Sequence, residues 1–224
     1  MKWLLAMLLA AAPLAAQDQA DAPGSWTHFK PGTSRKVRMT IYGGTSETLL
    51  TLKEVTEKEV VFDMVTSTKA DKEGKASVFR MPLYKLGEKI AEETLKFKGT
   101  DYKCRVVKGN YEVAGMKTEF KYWIAEGVDY PLKTVSASTG AQAWMNLETE
   151  SMLVSLDEEV TIAGRKLKCA KYDGKIKGSQ SGTVSIWHCP EIPGGMARTE
   201  TEIGIAGGAK TKMTMETIEF EVKK

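Results

Sequence analysis

Residues 94–157 and 159–222 read as two copies of one unit, and that duplication constrains the fold more than any other feature. The first copy carries Gly99, Lys103-Cys104, Trp123, Pro131 and Glu148-Thr149; the second carries Gly164, Lys168-Cys169, Trp187, Pro193 and Glu216-Thr217. The offsets are 65 residues at the Gly-Lys-Cys anchor, 64 at the Trp, 62 at the Pro and 68 at the Glu-Thr. A period of this length marks one supersecondary unit used twice to build a shared core. It speaks to architecture and says little about chemistry.

The local pattern is β almost throughout. Thr is abundant, Val, Ile, Tyr and Phe recur in alternation, and glycines punctuate the runs. Ser34–Tyr42 and Glu47–Val55 flank Gly43-Gly44 as a hairpin, with further strands at Glu59–Val65 and Ala76–Leu83. The first copy then reads as strands at Thr100–Glu112, Lys117–Ala125, Leu132–Ser138 and Ala143–Leu156. The second repeats the path at Arg165–Lys177, Thr183–Cys189, Met196–Ile203 and Lys210–Val222. Tyr84–Glu93 holds Leu86, Ile90 and Ala91 at helix-like spacing around Gly87, which makes it one short helix or a connector. Short antiparallel strands with tight turns give a meander rather than alternating βαβ units. The expected fold is therefore mainly β: a long, curved antiparallel meander sheet, an open half-barrel or sandwich, with at most one short helix. The stretch Pro31–Val61 echoes Pro131–Val160, as if the rear half of a third copy preceded the first.

The closing strand of each copy changes phase. Its apolar residues fall first on odd positions (Met145, Leu147; Met213, Met215) and then on even ones (Met152, Val154, Leu156; Ile218, Phe220, Val222). Side chains alternate strictly along a strand, so this requires a β-bulge, a strong bend, or a strand crossing from one core to another.

The repeat also places the cysteines. A turn centred on Ser179 sets Cys169 opposite Cys189, and in the first copy the equivalent pair is Cys104 opposite Ala125. The second copy fills both positions with Cys, and an oxidising compartment would join Cys169 to Cys189 as a disulfide. Cys104 is then a lone thiol, buried like a small apolar residue. Cys169, His188 and Cys189 are zinc-ligand types, but adjacent strand residues His188 and Cys189 point to opposite faces, and no paired C-x-x-C or H-x-x-x-H spacing is present. The expectation is no metal and no cofactor.

Nothing in the chain spells out catalysis. The only histidines are His28 and His188, and His188 aligns with Ile124 in the first copy. There is no G-x-S-x-G elbow, no H-E-x-x-H and no G-x-x-x-x-G-K-[ST] phosphate loop. The reading is a protein that is not an enzyme. Residues 1–16 have the layout of a secretory signal peptide: a charge at Lys2, an apolar run over Trp3–Ala12, and small residues before Gln17. Residues 17–25 then form a flexible start and 26–224 a single β domain. Without Lys2 the balance moves from 32 − 29 = +3 to 31 − 29 = +2, with basic and acidic residues interleaved. A nucleic-acid partner needs a basic patch or stripe, so none is expected, nor is a transmembrane segment. The expected location is periplasmic or secreted.

Trp123 pairs with Val106 and Trp187 with Lys171 in the inferred hairpins. A repeated Trp is a packing anchor or, alternatively, one wall of an apolar ligand cleft inside a curved sheet. The combination Gly164-x-x-Leu167-Lys168-Cys169, Trp187-x-Cys189-x-x-x-Pro193-Gly194-Gly195 and the Thr-rich strand Thr211–Phe220, with Gly24-Ser25-Trp26 and Val37–Tyr42 upstream, resembles a group of exported bacterial proteins of unknown function, common in planctomycete-type genomes. The first copy departs from it, with Ala125 for the second Cys and Pro131-Leu132-Lys133 for Pro-Gly-Gly. The Trp…Pro-Leu-Lys arrangement is more distantly similar to LolA-like periplasmic lipoprotein carriers, which implies an open, curved antiparallel sheet closed by helices. Neither resemblance brings catalytic residues. The functional expectation is an exported, non-catalytic binding module holding an apolar, lipid-like ligand or a protein partner on its curved sheet, with Trp123 and Trp187 as ligand-facing residues. The alternatives are a structural cell-envelope interaction protein with a filled core and, third, an enzyme of unidentified class.

Overall fold

The computed structural model describes residues 24–83, 87–113, 115–141, 146–204 and 210–223. The signal peptide, most of the expected flexible start, Leu86 and Met145 lie outside them. After a 3-10 turn at Trp26–His28, the chain forms β1 (Ser34–Ile41), β2 (Gly44–Val55), β3 (Glu59–Thr68) and β4 (Lys75–Pro82). It continues as β5 (Lys89–Phe97), β6 (Thr100–Val113), β7 (Met116–Ala125), β8 (Lys133–Gly140) and β9 (Leu147–Ile162). The last strands are β10 (Arg165–Gly178), β11 (Ser181–His188), β12 (Met196–Gly204) and β13 (Lys210–Glu221).

All thirteen strands belong to one sheet, in the order β4-β3-β2-β1-β13-β12-β11-β10-β9-β8-β7-β6-β5, with every pair antiparallel. Chain neighbours pair as in a meander except at one place, where β1 pairs with β13 and brings the N-terminal strands beside the end of the second copy. The edge strands β4 and β5 do not pair with each other, so the sheet is not closed into a barrel. The helix-or-connector expectation at Tyr84–Glu93 is corrected by β5, whose Lys89–Phe97 pairs along β6. An edge strand has one neighbour and little burial, so Ile90, exposed at 52%, left no clean alternation to read.

The turns explain the hairpins. Tyr42-Gly43, Lys98-Gly99 and Ala163-Gly164 all have positive φ at both residues, the two-residue geometry that matches strand twist. Gly99 and Gly164, the repeat anchors, are therefore turn glycines. The inferred registers hold: Val106 faces Trp123, Lys171 faces Trp187, and Cys104 faces Ala125. In β13 the phase change coincides with a bulge, whereas in β9 Leu147 and Met152 already differ in phase along an unbroken register ahead of the bulge. Val154 in β9 and Ile218 in β13 are each the extra residue at a register shift, and 218 − 154 = 64, the period seen at the Trp. Phe220 is partly buried beyond its bulge, whereas Val154 and Leu156 are exposed at 40% and 38%.

One face of the sheet is buried across most of its width. Rungs running Tyr122-Thr134-Ser151-Gly174-Val184-Thr201-Met213 and Leu153-Tyr172-Ile186-Thr199-Met215-Met39-Ser46 follow directly from the registers. Nearly all of these side chains are shielded. The shielded face is the inner face. Among the described residues no α-helix and no second sheet is found. Among the described residues no helix is long and apolar enough to cross a membrane.

Candidate functional site

The inner face of β9 to β12 mixes two kinds of side chain. Val184, Ile186 and Tyr172 are apolar or aromatic, and Val37, Met39, Met196, Met213 and Met215 form an adjoining cluster. Between them stand Ser151, Thr199, Thr201 and His188, exposed at 1%, 1%, 4% and 2%. Among the described residues, the Ser151, Thr199 and Thr201 hydroxyl oxygens and both ring nitrogens of His188 find no hydrogen-bond partner. Each such group forfeits about 1–3 kcal/mol of lost hydration. Valine would fill a threonine's space without that cost, so these hydroxyls are chemically out of place in a core built for packing alone.

His188 lies at one end of this row. It sits in line with Val184 and Ile186 on β11, edge-on to Tyr130 with ring centroids 5.5 Å apart. Burial, with the nearby Arg35 charge second, lowers its pKa from 6.5 to about 4, so it is neutral near pH 7. Burial likewise raises the Tyr130 and Tyr172 phenols above their ordinary range; the Tyr172 hydroxyl donates to the Pro131 carbonyl at 3.0 Å.

Over His188 folds the turn Pro190–Gly195. Gly194 and Gly195 have φ of +76° and +70°, a region in which other L-residues are strained. A Cβ on Gly195 would enter the His188 ring, and one on Gly194 would enter the Trp26 indole. Arg35 Nη1 donates to the Pro193 carbonyl at 2.9 Å while its guanidinium lies 5.4 Å from the centroid of the Trp26 ring. Trp26 is exposed at 2% and packs edge-on to Phe62, centroids 4.7 Å apart. The Gly24-Ser25-Trp26 and Pro193-Gly194-Gly195 motifs, 169 residues apart at Gly24 and Pro193 (193 − 24), thus form one junction. Sequence reasoning noted both motifs and missed their contact; the paired glycines beside a proline were the signal of a close approach.

The cysteines are free thiols, and all three are buried. Ala170 pairs with His188 at the end of the β10–β11 ladder, and Cys169 and Cys189 follow it, one on each chain segment. Both lie in a cluster with Leu167, Ile192, Ala197 and Trp187. The Cys189 thiol donates to Glu191 Oε2 at 2.9 Å. Its hydrogen bond with Cys169, then burial, then Glu191 push its pKa up; burial does the same to Cys104. Protonated thiols are weak nucleophiles. Among the described residues no group of three or more His, Cys, Asp and Glu is placed to hold a metal ion.

Trp123 shares one buried cluster with Tyr172, Val184 and Ile186, and Trp187 packs against the cluster of Cys169 and Cys189. Alternation turns Trp123 away from Tyr122 and Trp187 away from Ile186 and His188. Trp123 Nε1 donates to Glu93 Oε2 at 2.7 Å, and Lys133 Nζ lies 4.9 Å from its ring centroid. Trp187 carries Lys171 Nζ at 5.1 Å and the Arg198 guanidinium at 5.5 Å. Each indole is thus capped by a cation, a contact that contributes roughly 0.5–1 kcal/mol near a surface.

No family model matches the chain, and no curated protein matches it. Among solved structures it is similar to a candidate exported protein with a YmcC-like fold from Bacteroides fragilis NCTC 9343, at 12% identity and a TM-score of 0.41, over 86% of this chain and 97% of that one. It is also similar to the hypothetical lipoprotein YmcC from Escherichia coli K12, at 12% identity and a TM-score of 0.34, over 84% of each chain. At these scores the likenesses carry no function to this chain.

Proposed function

We propose that this chain is an exported, periplasmic or secreted, non-catalytic binding module whose inner face receives an apolar ligand with a polar end. The observation that carries the reading is the row Ser151, Thr199, Thr201 and His188: buried polar groups without a protein partner, set among methionine and aromatic side chains. Methionine is unbranched and polarizable, so the cluster around Met39, Met213 and Met215 can repack around a guest. A ligand that offers a hydroxyl or carboxyl group to the row would recover the hydrogen bonds the fold leaves unmade. Trp123, in one buried cluster with Tyr172, Val184 and Ile186, is proposed as an apolar wall of the same site, and Trp187, which packs against the neighbouring cysteine cluster, as a second ligand-facing residue.

A second reading, a scaffold with a filled core, is favoured by Tyr122 and Ile186. Their side chains are enclosed by the protein itself, at 0% and 1% exposure. Titration with a fluorescent fatty acid separates the two. The binding reading expects saturable uptake that Thr201→Val weakens about fivefold, the equivalent of one lost hydrogen bond. Absence of uptake by the folded protein sinks the binding reading and leaves the scaffold, for which crosslinking in intact cells should recover a specific partner.

A further inference from the structure

We propose that Cys169 and Cys189 are a redox site, a dithiol that closes to a disulfide and fastens the Pro190–Gly195 turn over His188 and Trp26. Four observations carry this, none of which depends on a ligand. Ala170 and His188 are the end pair of β10 and β11, and Cys169 and Cys189, the next residue along each chain segment, lie close enough for their thiols to hydrogen-bond. They share one buried cluster. Cys189 begins the turn: its amide donates to the Gly195 carbonyl at 2.6 Å, and its carbonyl accepts from the Ile192 amide at 3.2 Å. Finally, the turn bears on Trp26, Arg35 and His188 through Gly194, Gly195 and Pro193. A bond at Cys189 therefore ties the base of the turn to β10.

The two thiols are not equivalent. Cys189 hydrogen-bonds to Glu191, an exposed residue, whereas the Cys169 sulfur faces the Leu167 carbonyl inside the cluster. Exchange therefore enters at Cys189 when the turn opens locally, and it is slow, because Cys169 and burial keep that thiol protonated until Glu191 takes its proton. The proton of Cys189 passes to the Glu191 carboxylate as its sulfur attacks one sulfur of a low-molecular-weight or protein disulfide. The oxidant's other sulfur leaves as a thiolate. Cys169 then loses its proton to solvent and attacks the Cys189 sulfur in the mixed disulfide, releasing the second oxidant thiolate. In total the two cysteines lose two electrons and two protons, and the oxidant's disulfide becomes two thiols. The first copy holds Cys104 opposite Ala125, so it has no partner thiol across the pair.

The test is to incubate the folded full chain with glutathione disulfide, denature it without reductant, alkylate it and map the peptides. The expected result is Cys169 joined to Cys189 with Cys104 alkylated, the same bridge in a Cys104→Ala variant, and none in Cys189→Ala. Limited proteolysis within the Pro190–Gly195 turn should slow about tenfold on oxidation. Alkylation of all three cysteines, a bridge that includes Cys104, or a glutathione adduct that persists on Cys189 would each overturn the proposal. Because the oxidant is supplied in the tube, the outcome stands whether or not the chain is exported or binds a ligand.

Discussion

Replacing His188 should remove a specific piece of the protein's acid sensitivity. The ring is buried with both nitrogens unpartnered, and its pKa falls from 6.5 to about 4 through burial first and Arg35 second. On unfolding it regains its ordinary value, so between these two pKa values the unfolded chain binds a proton that the folded chain refuses. The native state then loses stability as pH falls through the window, at up to about 1.4 kcal/mol per unit, and keeps it in full above the unfolded pKa. Between about pH 7 and about pH 5 this one group withdraws about 2 kcal/mol. The neighbours do not offset it: Arg35 is already charged, and Tyr130 stays neutral because burial and nearby groups raise its pKa. Glu47, Glu150 and Glu200 are held below the usual carboxylate range, Glu47 and Glu150 chiefly by lysine and arginine partners and Glu200 by Lys212 and Arg198 against the pull of burial. Their contribution is lost at lower pH and is common to both proteins. Urea unfolding followed by tryptophan fluorescence would be run on wild type and His188→Phe at both pH values. Wild type should lose about 2 kcal/mol more than the variant between them. Parallel losses would refute the reasoning, because they would mean that His188 titrates alike in the folded and unfolded chains.

Thr199→Val and Thr201→Val should each raise stability by up to about 1 kcal/mol, since each removes a buried hydroxyl without a partner while keeping its volume; thermal melts would show it. Gly195→Ala should cost about 2–4 kcal/mol, because φ is +70° and the new methyl meets His188, whereas Gly43→Ala, at +73° with open space around it, should cost only about 1 kcal/mol. Ala125→Cys should let Cys104 form in the first copy the bridge proposed for the second. The loop would span 125 − 104 = 21 positions, a constraint of about 3 kcal/mol that a reductant abolishes in a melt.

Local features of the chain were legible where a turn or a period determined them. A hairpin's centre determines its whole register, which is why Val106 against Trp123, Lys171 against Trp187 and Cys104 against Ala125 followed from the positions of the turns. The phase change in β13 falls at its bulge, one of the solutions that strict alternation allows. Features that depend on distant segments were hidden. β1 against β13 joins the two ends of the domain and leaves no local mark. β5 escaped because an edge strand need not alternate cleanly. At the candidate site, His188, Cys169 and Cys189 stood out in the sequence. The hydroxyl row did not, because Ser and Thr are common on exposed strand faces, and the burial of Ser151, Thr199 and Thr201 is set by the three-dimensional fold. The docking of Trp26 on Gly194 likewise depends on a long-range contact that two short motifs cannot announce.

The central claim is that the inner face is a receptor for an apolar ligand with a polar end. Native mass spectrometry of protein taken from cells that export it tests this most directly. The account predicts a population heavier than the apo chain by the mass of an extractable apolar molecule, and a reduced share of it in Thr201→Val. A single apo mass for the wild-type protein under gentle ionisation, with the fold intact, would contradict the account.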